Sequence, residues 1–286
     1  MSDLTLIVIS YNSRHVIEKC LSTILTQLPY NALVVDNAGS DKLAASSILK
    51  NPHIQAVTLD QNIGYGRAAN IALKELNTRY ALLLNPDLHI SPHQVESLLE
   101  KTKRFPNAAI SAPATQKKHQ KLGSAPQRQS FINGSCMLLD MNKIREIGFF
   151  DEKIFLFSEE TDLCMRCVTA GYDLMLFPDI HVNHIEGESS GQSDAIQYMR
   201  NWHFAWSRSY YNKKHKLNKG KQLLLRRIFV YWYKSVLATS RTKRIKYKAN
   251  LAGLLAFKRG ESAFKKDGNA KASLNCKLNP YCKAKI

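Results

Sequence analysis

The sequence contains no uncharged apolar run that approaches the roughly 20 residues a membrane-spanning helix needs. Its first apolar run, Leu4 to Ile9, follows Asp3 and is too short for the core of a secretory signal. Only six cysteines occur among 286 residues, which does not suggest a disulfide framework in a chain of this length. We also find no internal repeat. Together these absences predict a cytosolic protein.

Acidic residues are almost missing from the last quarter of the chain. Residues 213 to 286 contain 21 Lys and Arg but only Glu261 and Asp267, whereas residues 1 to 212 contain 20 Lys and Arg and 21 Asp and Glu. The net charge of +18 therefore belongs to a tail, which should seek a polyanion. Because the chain has no recognised nucleic-acid motif, we predict an anionic membrane surface rather than nucleic acid as the partner.

The N-terminal hundred residues alternate short apolar runs with helical patterns. This alternation predicts right-handed crossovers and a parallel sheet, and hence an α/β fold. Each run ends in polar residues, as expected for a nucleotide-binding half. The four predicted strands are Leu4 to Ile9, Ala32 to Val35, Ile54 to Leu59 and Ala81 to Leu84.

The fourth strand ends at Asn85-Pro86-Asp87. Proline cannot donate to a sheet ladder, so the strand must stop there. A carboxylate at the carboxyl end of a central strand lies where open α/β sheets bind ligands, and its hard oxygen suits a divalent cation with its phosphates. The alternative is that Asp87 caps the next helix, although Ser91-Pro92 offers a better start.

The second half continues with helices and strands around two polar segments. Residues 113 to 130 read as a solvated loop or a mobile lid over a site, and residues 185 to 194 as a second mobile loop. The predicted elements are a strand at 108 to 112, a strand from Phe131 to Leu139, a helix from Asp140 to Gly148, a helix from Glu159 to Ala170, and strands from Asp173 to Phe177 and Ile180 to His184.

The basic tail has its own pattern. Gln222 to Ala238 mixes large apolar side chains with Arg and Lys, which suits either a helix in a membrane interface or a helix packed on the body with a solvated basic face. From Arg259 on, the Lys-rich composition predicts disorder. We therefore divide the chain into a domain at 1–212, with halves at about 1–105 and 106–212, and a basic amphipathic helical tail at 213–286.

An acidic cluster, Glu159-Glu160-Thr161-Asp162, opens a predicted helix. The helix dipole favours negative charge there, so the two glutamates could simply stabilise the helix start. Asp162, however, can pair with Arg166 four residues on, which leaves Glu159 and Glu160 without a local cation. A carboxylate preceded by apolar residues is a candidate general base, since burial raises its affinity for a proton.

His184 ends a predicted strand and precedes a loop. A lone histidine is usually a surface or core residue. It becomes a metal ligand only if the fold brings it to Asp87.

Taken in order, six motifs resemble those of the family 2 glycosyltransferases, and most closely the bacterial rhamnosyltransferase-type branch. Each motif alone is weak, but their order and spacing over about residues 4 to 190 are specific. They are Ile9-Ser10-Tyr11-Asn12, Val35 to Asp41, Asn62 to Asn70, Leu84 to Asp87, Phe131 to Ser135, and Phe149 to Glu152 followed by Phe157 to Arg166.

The resemblance implies the GT-A fold, a Rossmann-like and mostly parallel sheet flanked by helices, and transfer with inversion from a nucleotide-sugar. It implies that Asp87 binds Mg²⁺ or Mn²⁺, completed by His184, and that Glu160 is the base. The remaining residues it implies are Ser10, Tyr11, Asp36, Asn37, Asn62, Gly64, Arg67 and Asn85 for the nucleotide-sugar, and Asn133 and Gly134 for the donor or acceptor pocket.

Two departures from the family pattern matter. Asn85 stands where the family's metal motif has Asp, which removes a charge. The base position holds Glu rather than Asp, one methylene longer, so Glu159 and Glu160 could exchange roles.

We predict a cytoplasmic enzyme at the inner face of the cell membrane. It would move rhamnose or another hexose from a dTDP- or UDP-sugar to a lipid-linked or lipopolysaccharide acceptor. One alternative, favoured by Asn85, is an inactive nucleotide-sugar-binding scaffold of a polysaccharide assembly complex.

Overall fold

The computed structural model describes residues 3–39, 43–116, 123–184, 193–217, 221–273 and 280. Its main element is an eight-stranded sheet with the order β3-β2-β1-β4-β8-β6-β9-β7, beside a two-stranded sheet of β5 and β10. The strands are β1 Leu4–Ser10, β2 Asn31–Asp36, β3 Ile54–Thr58, β4 Tyr80–Leu84, β5 Leu88–His89, β6 Ala108–Ala114, β7 Gln127–Gln129, β8 Cys136–Asp140, β9 Asp173–His181 and β10 Asn183–His184.

The first four strands run parallel, as the sequence predicts. β1 lies at the centre of this half, between β2 and β4, and β3 follows β2. Every residue of β1 and β4 is buried, which is why both read as unbroken apolar runs rather than as alternating ones. The α/β fold class and its mostly parallel sheet are confirmed.

The second half of the sheet is mixed in direction, which the sequence left open, and its strand boundaries differ from the prediction. β8 lies antiparallel between β4 and β6, while β6 and β9 are parallel. The predicted strand from Phe131 begins only at Cys136, because residues 131–133 are irregular and residues 134–135 form a turn. The two short strands predicted between Asp173 and His184 are the long strand β9 and the two-residue β10.

The segment from 113 to 130, predicted as a loop, is partly strand. β6 continues to Ala114, and Gln127–Gln129 form the edge strand β7, antiparallel to β9. Residues 117–122 of the proposed lid and 185–192 of the second predicted loop lie outside the described residues.

Nine α-helices occur in the described part of the chain, with two short 3₁₀ turns between β2 and β3. They are α1 Arg14–Cys20, α2 Ser22–Gln27, α3 Tyr65–Glu75, α4 Pro92–Lys103, α5 Met141–Ile147, α6 Glu159–Thr169, α7 Asp194–Lys214, α8 Lys221–Leu237 and α9 Arg241–Lys258. As predicted, Asp140 caps α5 through the N–H of Asn142, and Gly148 ends that helix with φ +86°.

The chain divides into two compact units. The first comprises residues 1–62, 67–150 and 160–190, and the second comprises residues 63–66, 151–159 and 191–286. The core of the first unit lies between the sheet and helices α1, α2 and α4, and Leu6, Val8, Leu82 and Leu98 belong to it. The predicted boundary at residue 212 follows charge rather than backbone contacts, and it stays a prediction.

The second unit has a core of its own, built on α7 and α9. Trp202 and Trp206 of α7 pack there with Ile245 and Ala249 of α9. Gly253 of α9 lies so close to α7 that a Cβ atom at this position would stand 2.3 Å from the carbonyl oxygen of Trp202. None of the helices in the described part of the chain combines the length and apolar character needed to cross a bilayer.

The disorder predicted from Arg259 on is wrong for residues 259–273. Phe264 pairs with Ala270 in a β-bridge, and Ala263 and Ala272 are fully buried. The imidazole of His203 bonds the carbonyl oxygen of Lys271 at 2.7 Å, which ties the turn to α7. The prediction failed because it rested on the Lys-rich composition. The burial of small residues such as Ala263 and Ala272 stabilises the turn at residues 263–272. Residues 274–279 and 281–286 lie outside the described part.

Candidate active site

The carboxyl ends of β1 and β2 lie side by side in the first unit. Ser10 is in register with Asp36, and the N–H of Asn37 donates to the carbonyl oxygen of Ser10 at 2.8 Å. Asp36 is buried, and its carboxylate accepts the N–H of Gly39 at 2.8 Å. Asp36 therefore shapes the turn after β2, in which Ala38 has a left-handed φ of +62°.

A second contact connects this turn to the loop before α3. The Asn37 side chain donates from Nδ2 to Oδ1 of Asn62 at 3.1 Å. Arg67 lies in the first turn of α3, and its side chain and that of Tyr11 are partly exposed. The hydroxyl of Ser10 is buried and finds no hydrogen-bond partner among the described residues.

Gly64, which belongs to the second unit, has a purely structural reason to be glycine. Its φ is +90°, and a Cβ atom there would stand 2.2 Å from the carbonyl oxygen of Phe155. The next residue, Tyr65, donates its N–H to that same oxygen at 3.2 Å. The predicted nucleotide-binding role of Gly64 stays a prediction.

The end of β4 is fixed from the side of β8. The N–H of Asn85 donates to the carbonyl oxygen of Ser135 at 2.9 Å. The N–H of Ser135 in turn donates to Oδ1 of Asn133 at 2.9 Å. Asn133 therefore holds the turn beside the predicted metal motif.

Asp87 is 2% exposed and lies directly before β5. It does not cap α4, because Ser91 and Gln94 form a reciprocal capping box there. The pairing of β10 with β5 places the backbone of His184 opposite Leu88, the residue after Asp87. Among the described side chains, which do not include that of His184, no three of His, Cys, Asp or Glu form a cluster that could hold a metal ion.

Glu160 of α6 lies against Gly134 in the turn before β8. A Cβ atom at position 134 would stand 3.5 Å from both Cβ and Cγ of Glu160 and 3.8 Å from its Cδ. Gly134 is next to Ser135, whose carbonyl oxygen accepts the N–H of Asn85. These contacts bring the turn holding Asn133 and Gly134 together with both the metal motif and the predicted base.

The environment of Glu160 suits a proton acceptor. Burial raises the pKa of its carboxyl, and the N–H groups of Glu160 and Thr161 oppose this rise by hydrogen-bonding the carboxylate. No ion pair of Glu160 with Lys or Arg is found among the described residues. Glu159, by contrast, is only 6% exposed, whereas Glu160 remains partly accessible.

Arg166 holds the helix that carries Glu160. It bonds Oδ2 of Asp162 at 2.9 Å, so the predicted pair is confirmed. It also donates to the carbonyl oxygens of Ile147, Gly148 and Phe149, at 2.9, 2.6 and 2.6 Å. The buried Asn70 side chain then bonds both backbone groups of Phe150, at 2.9 and 3.0 Å. This network fixes the chain just before the acidic segment.

Two residues that sequence reasoning missed stand directly before α6. Phe157 has φ +67° and Ser158 has φ +71°, a left-handed conformation that is unusual for residues other than glycine. Such strain costs on the order of 1–3 kcal/mol per residue and collects at functional sites. The residue types in this segment gave no sign of a left-handed conformation, since neither residue is glycine.

The sheet order, together with the polar turn after β4, defines the GT-A class of glycosyltransferase fold. One solved structure of this class is a mannosyltransferase from Pyrobaculum calidifontis, in complex with GDP-Man and Mn²⁺. It superposes with a TM-score of 0.59 at 16% identity, covering 93% of this chain and 81% of its own.

The chain belongs to the glycosyl transferase family 2, whose model matches residues 5–167, and it is therefore a glycosyltransferase. One relative, the N-acetylglucosaminyl-diphospho-decaprenol L-rhamnosyltransferase of Mycobacterium tuberculosis, is 21% identical over 67% of this chain and 79% of its own. Another, the dTDP-rhamnosyl transferase RfbF of Shigella flexneri, is 23% identical over 66% and 71%. The resemblance to rhamnosyltransferases within the family is confirmed.

Proposed function

We propose that this enzyme transfers one sugar, rhamnose or another hexose, from a dTDP- or UDP-sugar to a lipid-linked or lipopolysaccharide acceptor. The Mycobacterium and Shigella relatives are both rhamnosyltransferases, which supports the sugar. The acceptor of the first is a lipid diphosphate and the donor of the second is a dTDP-sugar, which supports these two parts of the proposal. We propose that the transfer reaction takes place at the inner face of the cell membrane.

One observation carries the proposal: Glu160, a partly exposed residue whose carboxyl has a pKa raised by burial, packs against Gly134 beside the turn that follows β4. Transfer requires a base that takes the proton of the acceptor hydroxyl as this oxygen attacks the anomeric carbon. The bond to the diphosphate oxygen breaks as the glycosidic bond forms, and attack from the opposite face inverts the centre. Diphosphate is a good leaving group, so no second acid is needed.

The donor would bind along the carboxyl edge of the parallel strands, where such sheets bind nucleotides. The adjacent ends of β1 and β2 and the contact between Asn37 and Asn62 support this position. The residues that we assign to the nucleotide-sugar are Ser10, Tyr11, Asp36, Asn37, Asn62, Gly64, Arg67, Asn85 and Asp87.

The residues present fit a divalent cation, Mg²⁺ or Mn²⁺, held jointly with the donor diphosphate. Asp87 would supply a carboxylate oxygen, and His184 would be the second protein ligand, since its backbone lies opposite Leu88, the residue after Asp87. The donor diphosphate and water would provide the remaining oxygen ligands. When bound, the cation offsets the negative charge that develops on the leaving diphosphate. The Mn²⁺ in the mannosyltransferase complex supports this assignment.

The membrane attachment that we propose rests on one face of α8. Large apolar side chains are exposed at helical spacing: Leu225 is 49% exposed, Phe229 62%, Trp232 52% and Val236 64%. Residues 221 to 258 contain ten Lys and Arg and no Asp or Glu. An apolar stripe on a helix whose charged residues are all cations suits the boundary between anionic headgroups and acyl chains.

The test of the base compares Glu160→Gln with Glu159→Gln. We expect Glu160→Gln to lower kcat by at least about 100-fold while donor affinity, measured by calorimetry, stays within a few-fold. Glu159→Gln serves as the matched control, since it removes the neighbouring carboxylate. Full activity in Glu160→Gln would end the assignment, and loss in Glu159→Gln alone would exchange the two roles.

The alternative function is a nucleotide-sugar-binding scaffold without transfer activity, and Asn85 is the residue that favours it. Asn85→Asp restores the second carboxylate of the family motif and should tighten binding of Mn²⁺ with the donor. A thermal-shift panel of UDP-, dTDP- and GDP-sugars, with and without Mn²⁺, identifies the donor because a ligand that binds the native state raises Tm. Donor binding without transfer to any lipid-linked acceptor would support the scaffold.

The membrane contact is tested with vesicles of anionic and neutral lipid. We expect binding to anionic vesicles that weakens with salt, and further weakening by Phe229→Ser with Trp232→Ser. Phe131→Ser is the control, because Phe131 is a 41% exposed aromatic residue of the first unit. Equal binding by the double variant and the wild type would refute the assignment of α8.

A further inference from the structure

A cavity of about 710 Å³ lies within the second unit, between α7, α8 and the end of α9. Its apolar lining includes Leu224 of α8 and Phe257 of α9, and its cationic lining consists of Lys213, Lys216, Arg227 and Lys258. This volume falls in the range of small-molecule sites. One pocket thus offers an apolar wall and a group of positive charges.

The four cations have no carboxylate partner among the described residues. Three acidic side chains of this unit pair with other cations: Asp151 with Lys214, Asp194 with Arg241, and Glu261 with Arg259 and Lys271. No carboxylate lies in the described lining of the cavity.

Arg227 is the innermost of the four. It is half-buried, and one of its nitrogens, Nη1, donates to the hydroxyl of Ser209 at 3.4 Å. Burial, and next the nearby positive charge of Arg208, lower the pKa of its guanidinium. A half-buried guanidinium with a second cation beside it, and only a long bond to a hydroxyl, is incompletely compensated within the protein. An anionic ligand would supply the missing compensation.

The other three cations have a local role as well, since Lys213 lies in the last turn of α7, Lys216 follows that helix and Lys258 ends α9. A helix carries about half a negative charge at its C-terminus. Two such ends contribute about one negative charge against four positive side chains. The cavity is therefore positive even after this correction, and the helix ends alone do not account for Arg227.

We propose that this cavity binds the phosphate of a single-chain membrane lipid, with the guanidinium of Arg227 on the phosphate and the hydrocarbon chain along Leu224 and Phe257. Phosphate oxygens match the fixed fork of an arginine, and the apolar wall requires a chain that free phosphate lacks. This site lies entirely within the second unit. A titration measures lipid binding there directly, so a negative result would not depend on whether the enzyme carries out the proposed transfer reaction.

The experiment is calorimetric titration of the full chain with farnesyl phosphate below its micellar concentration. Farnesol, with the same chain, and inorganic phosphate are the two comparison ligands. We expect farnesyl phosphate to bind at least about tenfold more tightly than either. Equal binding of farnesol would reduce the site to an apolar pocket, and equal binding of inorganic phosphate would reduce it to an anion site; either result overturns the proposal.

A pair of double variants separates the cavity from the general charge of the tail. Lys213→Gln with Lys258→Gln removes two charges that line the cavity, whereas Lys246→Gln with Lys248→Gln removes two exposed charges of α9 outside it. We expect at least about tenfold weaker binding in the first pair and less than about twofold in the second. Equal weakening in both would show that only the net charge matters and would overturn the site. A Tm equal to that of the wild type in both double variants confirms that their folding is intact.

Discussion

The backbone of Gly134 lies against the side chain of Glu160, with a hypothetical Cβ atom 3.5 Å from both Cβ and Cγ of the glutamate. This is ordinary van der Waals contact, so alanine would fit while larger side chains would fill the space beside the carboxylate. The contact joins the turn before β8 to the start of α6. It distinguishes Glu160 from the neighbouring Glu159, which is buried.

The raised pKa of Glu160 predicts how activity and stability depend on pH. Activity needs the ionised form, so kcat should fall as pH drops through a value above the ordinary 4.5 of a glutamate. Stability should change with pH in the opposite direction to activity. Burial disfavours the ionised carboxylate in the folded state, so the wild type loses stability as the pH rises and Glu160 ionises. We expect Glu160→Gln to raise Tm relative to the wild type at pH 8, and the difference to vanish below pH 4.5.

The measurement is a series of thermal melts from pH 4 to pH 8, beside the pH profile of kcat for the wild type. Glu146→Gln, a change at a surface glutamate of α5, is the control for the melts. A Tm difference for Glu160→Gln that grows as the pH falls would contradict the prediction.

Removing Arg166 should destabilise the first unit strongly. Its side chain is 19% exposed, its partner Asp162 is fully buried, and three carbonyl oxygens also depend on it. Arg166→Ala leaves that carboxylate buried without its guanidinium, which typically costs about 3–5 kcal/mol. Denaturant unfolding measures the loss.

The control for Arg166 is Lys103→Gln, which breaks the exposed pair with Glu100. Such surface pairs contribute at most about 1 kcal/mol. If both variants lost the same free energy of unfolding, burial of the Arg166 network would not be what makes it stabilising.

The residues at the strand ends could be predicted from sequence, because Ser10 and Asp36 each directly follow an apolar run. Their side-by-side position comes from the register of β1 with β2, which only the structure shows. The pair of Asp162 with Arg166 was predictable from spacing alone. Its three carbonyl partners were not, since they come from a turn 17 to 19 residues earlier in the chain.

The direction of β8 and the packing of α9 could not be read from the sequence. A strand buried on both faces has the same apolar pattern whether it runs parallel or antiparallel, so Cys136–Asp140 carry no sign of direction. In α9, the buried face contains Ile245 and Leu254 but also Ala249, Gly253 and Ala256, small residues that give little hydrophobic signal among many lysines. Close backbone approach at Gly253 adds to the packing of the large side chains, and the composition does not reveal it.

Gly64→Ala should be more costly than an alanine at another left-handed glycine. Gly64 and Gly123 have φ of +90° and +76°, so alanine is strained at both, by about 1–2 kcal/mol. At Gly64 the new methyl group would also stand 2.2 Å from the carbonyl oxygen of Phe155, whereas at Gly123 nothing lies within 4 Å. Overpacking adds about 1–3 kcal/mol, so we expect a clear difference in free energy of unfolding. If both variants lost the same free energy of unfolding, the backbone at Phe155 would be able to shift away from the new methyl group at little cost.

Gly253→Ala tests whether α9 is held by close approach to α7. In an exposed helix, replacing glycine by alanine stabilises by about 1 kcal/mol. Here the added methyl group would stand 2.3 Å from the carbonyl oxygen of Trp202, a backbone atom that cannot rotate away. The overpacking cost of about 1–3 kcal/mol should exceed the propensity gain and lower Tm. Lys248→Ala, on the exposed face of the same helix, should leave Tm nearly unchanged. A rise in Tm for Gly253→Ala would show that α9 sits further from α7 than this contact requires, and the core of the second unit would then need another source of stability.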